Sequence, residues 1–272
     1  MKRLIVLVAA LVVGISAFAQ DYGPTYYESS DSDLQGRFKV GLEIPVGEKV
    51  KLGWNEQLRT KNSFQSLDKI LSSVSVGYTP WKFLEVGTEY SFVNEWQGIM
   101  DGGKIDKWRT KHRWNIDITE KLTAGRFELS LRERVRMEFS GHTANKYVEP
   151  NPFTTMRTRL KAAYKNPSIW KPYAYVEVYT TLNAPKRVDN CLRDPLERDN
   201  YINRVRLVFG TELKVAEKSK MDIHYMLNLN RTRKVSYYNS YIENIHDAGD
   251  LCSWSLKKVC AHVICVDYKF TL

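Results

Sequence analysis

The sequence predicts an all-β chain folded as an antiparallel up-and-down transmembrane β-barrel, and three observations predict it. Charged and apolar residues alternate over unusually long stretches, an apolar leader opens the chain, and the connectors alternate between short and long. Successive side chains of a strand point to opposite faces, so alternation sorts them into one apolar and one ionic face; a helix would smear them around its circumference.

The leader comes first. Lys2 and Arg3 precede the apolar run LIVLVAALVVGI, and Ala17 and Ala19 hold the small-residue positions of a cleavage site. This predicts a secretory signal peptide over residues 1–19, cut near Ala19, with 20–272 as a single domain. The run is short of the roughly 20 residues a spanning helix needs. No Cys stands at the cleavage point, and no later stretch is apolar for long enough. A mature chain that crosses a membrane must then do so as a barrel, the other structure that satisfies its backbone in lipid. The expected location is the outer membrane of a Gram-negative cell, with outer-membrane lipid, lipopolysaccharide and the barrel-assembly machinery as partners.

Composition agrees. A negative mean hydropathy suits a barrel, because only alternate residues face lipid. The formal charge of +10 falls by two when Lys2 and Arg3 leave. In an exported protein that surplus points to lipopolysaccharide phosphates or an anionic solute, and not to nucleic acid.

The strands follow in order. RFKVGLEIPV sets Phe38, Val40, Leu42 and Ile44 against Arg37, Lys39 and Glu43, and VKLGWNEQLR sets Val50, Leu52, Trp54 and Leu58 against Lys51, Asn55, Gln57 and Arg59. ILSSVSVGY and LEVGTEYSF repeat the pattern. KWRTKHRWNIDI puts Lys107, Arg109, Lys111, Arg113 and Asp117 on one side, and Trp108, Trp114, Ile116 and Ile118 on the other. RFELSLRERVRMEF is the longest alternation, with Arg126, Glu128, Arg132, Arg134, Arg136 and Glu138 on its ionic face. MRTRLKAAY contributes Arg157, Arg159 and Lys161; YAYVEVYTTL, INRVRLVFGTEL, MDIHYMLNLN and VCAHVICVDYKFTL complete eleven strands.

Short connectors fall near Gly47, 79–82, 120–125, 165–171 and 216–220; long ones run through 59–66, 94–106, 140–152, 183–200 and 233–256. Tight turns at one end and longer loops at the other are the form of an outer-membrane barrel. Trp81, Phe83, Trp170 and Tyr173 suit an interfacial aromatic girdle. Eleven strands would close in parallel, whereas bacterial barrels have even numbers. A further strand near 22–29 would make twelve; ten is the fallback.

The chain ends in VDYKFTL, with Tyr268, Phe270 and Leu272 on one face. This resembles the assembly signal of outer-membrane barrels, with Leu in place of the commoner terminal Phe. The stretch from Phe38 to Phe92 resembles the opening strands of an uncharacterised outer-membrane barrel family, numbered 2490 among the domains of unknown function. The likeness rests on a first hairpin, Glu56 with Arg59 on the second strand, and Gly77 with Tyr78 before a tight turn. It implies barrel and location, extends over 37–272, and brings no activity.

Four cysteines in an exported chain permit disulfides. Cys191 and Cys252 fall in polar connectors on the same side and form a candidate bridge, whereas Cys260 and Cys265 point to opposite faces of one strand. No CxxC or His-rich spacing suggests a metal site, and no cofactor is expected. His112 and His262 face outward by parity without a partner set by spacing, so no catalytic residue is assigned and the chain is not expected to be an enzyme. Glu85 and Glu89, four residues apart on one strand, stand roughly 13 Å apart, too far for the roughly 6.5–9.5 Å of an inverting glycosidase; ion pairing with arginines is the expected role.

Glu56 and Glu133 point to the apolar side. Glu56 is expected near a strand end, at an interface; Glu133 is either protonated in place or accommodated by a bulge that shifts local register.

The expected function is thus a structural outer-membrane barrel, or a small passive channel with a basic, ion-paired lumen lined by Lys107, Arg109, Lys111, Arg113, Arg126, Glu128, Arg132, Arg134, Arg136, Glu138, Arg157, Arg159 and Lys161. The alternatives are a soluble exported β-sandwich or lipocalin-like binder, and a barrel-borne hydrolase.

Overall fold

The computed structural model describes residues 28–96, 108–141, 150–165, 168–185, 198–237 and 251–272. The signal segment 1–19, Lys107 and Cys191 lie outside them. Among the described residues eleven strands form one closed barrel: β1 (Glu28–Val46), β2 (Val50–Lys61), β3 (Ser66–Trp81), β4 (Leu84–Trp96), β5 (Trp108–Ala124), β6 (Phe127–Ser140), β7 (Phe153–Tyr164), β8 (Trp170–Pro185), β9 (Arg198–Ala216), β10 (Ser219–Tyr237) and β11 (Leu251–Thr271). Each neighbouring pair in sequence is antiparallel, and β1 closes on β11 in parallel, from Glu28 opposite Leu256 to Glu43 opposite Thr271.

The closure corrects the expectation of twelve strands. Of the segment 22–29 expected to form an extra strand, residues 22–27 lie outside the described residues, and Glu28 and Ser29 belong to β1 and pair with β11. First and last strands both run from the long-connector end to the short-turn end, so an odd number requires parallel pairing. Sixteen paired positions along this seam close the barrel without a twelfth strand.

The ends differ as expected, with one exception. Short turns link β1 to β2, β3 to β4, β5 to β6 and β9 to β10. Gly47, at φ 67°, supplies the left-handed residue that the first of these needs. The connector expected to be long at 59–66 is tight: β2 reaches Lys61 and β3 begins at Ser66, and three successive left-handed residues, Asn62, Ser63 and Phe64, turn the chain between them.

The two faces segregate as the alternation requires. Phe38, Val40, Trp54, Val74, Trp114, Ile116, Phe209 and Ile264 are all exposed on the outer wall, with Tyr268, Phe270 and Leu272 at its short-turn rim. Arg37, Arg113, Arg134, Arg157, Glu177 and Arg206 are buried inside. A sandwich has no such closed ring, and a lipocalin-like binder would place its apolar residues inward; both alternatives are therefore set aside. Trp81 and Phe83 stack at 5.9 Å on the outside, and Trp170 is exposed with them. Tyr173 is not part of that girdle. It is buried inside, directly opposite Gly210, where any Cβ would stand 2.9 Å from its ring. Its ring packs beside Val208, Met226, Ala261 and Val263, an apolar patch on the inner wall of β8–β11.

Glu56 and Glu133 do face outward, and each accepts a hydrogen bond across the sheet, from Ser72 at 2.8 Å and from Thr158 at 2.8 Å. Glu56 stands mid-strand, opposite Val40 and Ser72, and not at a strand end. No bulge surrounds Glu133, since β6 keeps unbroken register with β5 and β7. The outward His112 and His262 are likewise engaged, with Tyr90 and Tyr225 at 2.6 Å each.

Candidate functional site

The interior is the candidate site, and most of its charges form three clusters. The deepest centres on Glu177 of β8, 1% exposed. Arg157 of β7 donates to its Oε1 at 2.6 Å and Arg132 of β6 at 3.4 Å. Arg206 of β9 donates to Oε2 at 3.1 Å and Tyr179 at 2.7 Å. Arg206 also bonds the Tyr179 hydroxyl, and its Nε donates to Asn228 at 2.5 Å. Arg157 and Arg206 both lie 4.6 Å from the Tyr179 ring centre, so the ring face offers a second, weaker acceptor. A buried carboxylate is tolerable only with such complete pairing.

The second cluster joins β4, β5 and β6. Arg134 grips Asp117 with two donors, Nη2 to Oδ2 at 2.6 Å and Nε to Oδ1, and reaches Glu89 at 3.3 Å. Asn115 donates to Glu89 at 2.7 Å and accepts from Arg136 at 3.0 Å. The third is a ladder towards the long-connector end: Lys69 to Glu95 at 2.9 Å, Glu95 to Lys111 at 2.9 Å, Lys111 to Glu138 at 3.2 Å, and Glu138 to Arg113 at 2.7 Å. At the opposite end Lys121 meets Glu85 at 2.6 Å, and Lys165 meets Glu128 at 2.9 Å.

These pairs run along the inner wall, each joining strands one or two apart in the ring. A cavity of about 480 Å³ lies towards the short turns and one of about 610 Å³ towards the long connectors; Glu89, Arg132, Arg134, Arg159 and Lys161 line both. Lys161 sits 3.9 Å from the Tyr173 ring centre and Arg159 5.4 Å from that of Tyr175. The wider cavity is strongly basic, its lysines and arginines outnumbering its carboxylates by more than two to one.

Of the residues expected to line the lumen, Lys111, Arg113, Glu128, Arg132, Arg134, Arg136, Glu138, Arg157, Arg159 and Lys161 take part in these clusters or line these cavities. Arg109 is half-buried on the same face of β5, opposite Glu95. Arg126 is a correction. It sits exposed in the turn before β6 and donates to Tyr164 at 3.2 Å, because the strand begins one residue later. Cys252 is also displaced from expectation, lying on β11 and not in a connector; with Cys191 outside the described residues, their pairing stays an expectation. Cys260 and Cys265 are free thiols on opposite faces of the same strand.

Sequence reasoning passed over Glu177, Tyr179, Arg204 and Arg206. Their signal was the alternation Tyr173, Tyr175, Glu177, Tyr179 on β8 and Arg204, Arg206 on β9. Also unforeseen were Asp222, which accepts from Tyr173 at 2.6 Å, and His224, 2.9 Å from the same carboxylate. Among the described residues no group of three or more His, Cys, Asp or Glu is placed to hold a metal ion.

A family profile described as "Protein of unknown function (DUF2490)" matches residues 35–239. The chain belongs to that family. Its match runs from Gln35 within β1 to beyond β10 and therefore takes in all three charge clusters. No curated protein matches the sequence. Among solved structures, outer-membrane-expressed OmpT of Vibrio cholerae aligns at 14% identity with a TM-score of 0.37, and in-vitro folded OmpT, an outer membrane protein of the same organism, at 13% and 0.37. Each alignment covers 80% of this chain but only 59% of the other.

Proposed function

We propose that the protein is an integral outer-membrane β-barrel, with a lumen that is either a structural, ion-locked interior or a narrow passage favouring anions. The observation that carries the reading is the inversion of faces: large apolar side chains on the outside of a closed ring, ion pairs within. Exposing that belt to water would cost roughly 25 cal/mol per Å² of apolar surface, and a bilayer removes the cost. The strands run from 12 to 21 residues, enough for the 9–11 or so that cross the hydrocarbon when tilted. An eight-stranded barrel is filled by side chains and one of about sixteen strands leaves an open channel. Eleven strands carrying long arginines fit an interior of two small cavities that share Arg132, Arg134 and Arg159. The surplus of cations over carboxylates in the wider cavity would attract anions.

Two measurements test this. Heat-modifiable gel migration with detergent-dependent extraction from outer membranes is expected, and release by osmotic shock as a soluble monomer would end the membrane reading. Planar-bilayer recording under a salt gradient should show small conductance and an anion-selective reversal potential; a large channel or cation preference would contradict the passage.

A further inference from the structure

The wider cavity holds cations that the ion-pair clusters leave uncompensated. Arg37 and Arg59 face each other directly across β1 and β2, a like-charge pairing that destabilises a sheet. Arg37 lines the cavity at 8% exposure, and its Nε is buried with no partner among the described residues. Arg59 is held by the neutral Gln57 amide, at 2.8 and 2.5 Å. It stands in the field of Arg37, Arg113 and Arg206, relieved by Asp68, which Lys69 already engages at 3.4 Å. Arg204, on β9, lies 5.1 Å from the Tyr179 ring centre, and its Nε too is buried without a partner. It feels the charges of Arg206 and Arg37.

Arg59 and Arg204 are half-buried beside the buried Arg37, and cations withdrawn from water in this way are normally paired. Where the described residues supply no partner, a ligand can. A guanidinium presents a planar fork that matches carboxylate and phosphate oxygens two at a time. Three such forks call for more than one negative charge in a compact group. Asn203 and Asn230 line the same cavity, each with a buried Oδ1 that lacks a donor; these suit hydroxyl groups beside the anion. The cavity of about 610 Å³ lies within the range of roughly 300–1,000 Å³ typical of small-molecule sites.

We propose that this cavity binds a small, hydroxylated organic phosphate, its phosphate oxygens between Arg37, Arg59 and Arg204 and its hydroxyls towards Asn203 and Asn230. The site rests on the reading that the charged face lines the lumen, and adds to it a specific solute class. Chloride, monovalent and without directional acceptors, satisfies none of the forks as a pair and does not compete at equal ionic strength.

Isothermal titration calorimetry on the refolded full-length barrel, in phosphate-free detergent at fixed ionic strength, tests it with glucose 6-phosphate, pyrophosphate and chloride as probes. Saturable one-site binding of the two phosphates is expected, and none of chloride. Arg204→Gln and Arg37→Gln should each weaken binding by roughly tenfold or more, the effect of losing a charge-assisted hydrogen bond. Lys121→Gln, in the other cavity, should leave it unchanged. If Arg37→Gln fails to give the heat-modifiable band, Arg204→Gln decides. Heats that are unsaturable for both phosphates, or binding that survives Arg204→Gln undiminished, would overturn the site. A folded, anion-selective barrel without phosphate binding overturns the site alone; phosphate binding that needs Arg204, in a barrel without anion selectivity, overturns the passage and keeps the site.

Discussion

Between β6 and β7, Arg132 faces Arg159 and Arg134 faces Arg157; between β1 and β2, Arg37 faces Arg59. Both walls set like charges directly opposite one another, yet they are resolved differently. On the first wall carboxylates arrive from the flanking strands for three of the four: Glu177 of β8 takes Arg132 and Arg157, and Asp117 of β5 takes Arg134, while Arg159 lies against the Tyr175 ring. On the second no flanking carboxylate among the described residues engages Arg37, since β11 offers it Cys265 at the facing position. Arginine on the inner face is therefore not one device. Where a neighbouring strand carries an acid it locks the barrel, and where none does it leaves charge open to the cavity.

Removing the lock should have the largest effect. Glu177→Gln leaves three guanidiniums without their shared carboxylate, and breaking a buried pair of this sort costs about 3–5 kcal/mol. A lowered urea midpoint for unfolding from lipid vesicles is the expected readout. Glu85→Gln, which breaks only the rim pair with Lys121, should cost no more than about 1 kcal/mol. Equal losses would erase the distinction between interior lattice and rim.

The outer wall gives the next effect. Leu131→Arg places a cation on the lipid side and should cost about 2–4 kcal/mol near the midplane, seen as reduced folding yield in vesicles. Ser130→Arg, one residue away, points into the smaller cavity and should be tolerated better. Equal yields would mean that the faces are misassigned.

Arg134 sits on the boundary of both cavities. Arg134→Ala should join them and raise single-channel conductance several-fold while keeping anion preference, because Arg37, Arg59 and Arg204 remain. Unchanged conductance would place the constriction elsewhere.

The smallest change is expected at Glu133. The amide oxygen of Glu133→Gln can accept the same hydrogen bond from Thr158, so the unfolding midpoint should move by no more than about 0.5 kcal/mol. A large destabilisation would show that the outward carboxylate does more than accept one hydroxyl.

Much of this was legible from residue order alone. Alternation is a local property of a strand, so all eleven strands, the inward face of β6 and the outward face of the closing strand follow from parity without knowledge of any neighbour. Parity fails where a strand boundary moves. Arg126 continues the even positions, so parity alone places it in the lumen, but the turn claims it. Tyr173 shows a different limit: its position beside a turn suggested a girdle, while its parity with Glu177 and its facing Gly210 place it inside.

The sequence by itself determined the ionic and apolar faces, because successive side chains of a strand must diverge whatever surrounds them. Only the tertiary structure decided what each charge meets. Arg134 and Arg157 both point inward and face each other across β6 and β7, but which carboxylate reaches them depends on the register that brings together residues 17 and 20 positions apart in sequence. The parallel seam is of the same kind: strand directions follow from the count, yet whether β1 slides along β11 to close the ring depends on backbone groups at both ends of the chain, paired from Glu28 opposite Leu256 to Glu43 opposite Thr271. Contacts so distant in sequence are set by the closed sheet, which is why neither the buried Glu177 lattice nor the unpaired Arg37 could be read from alternation.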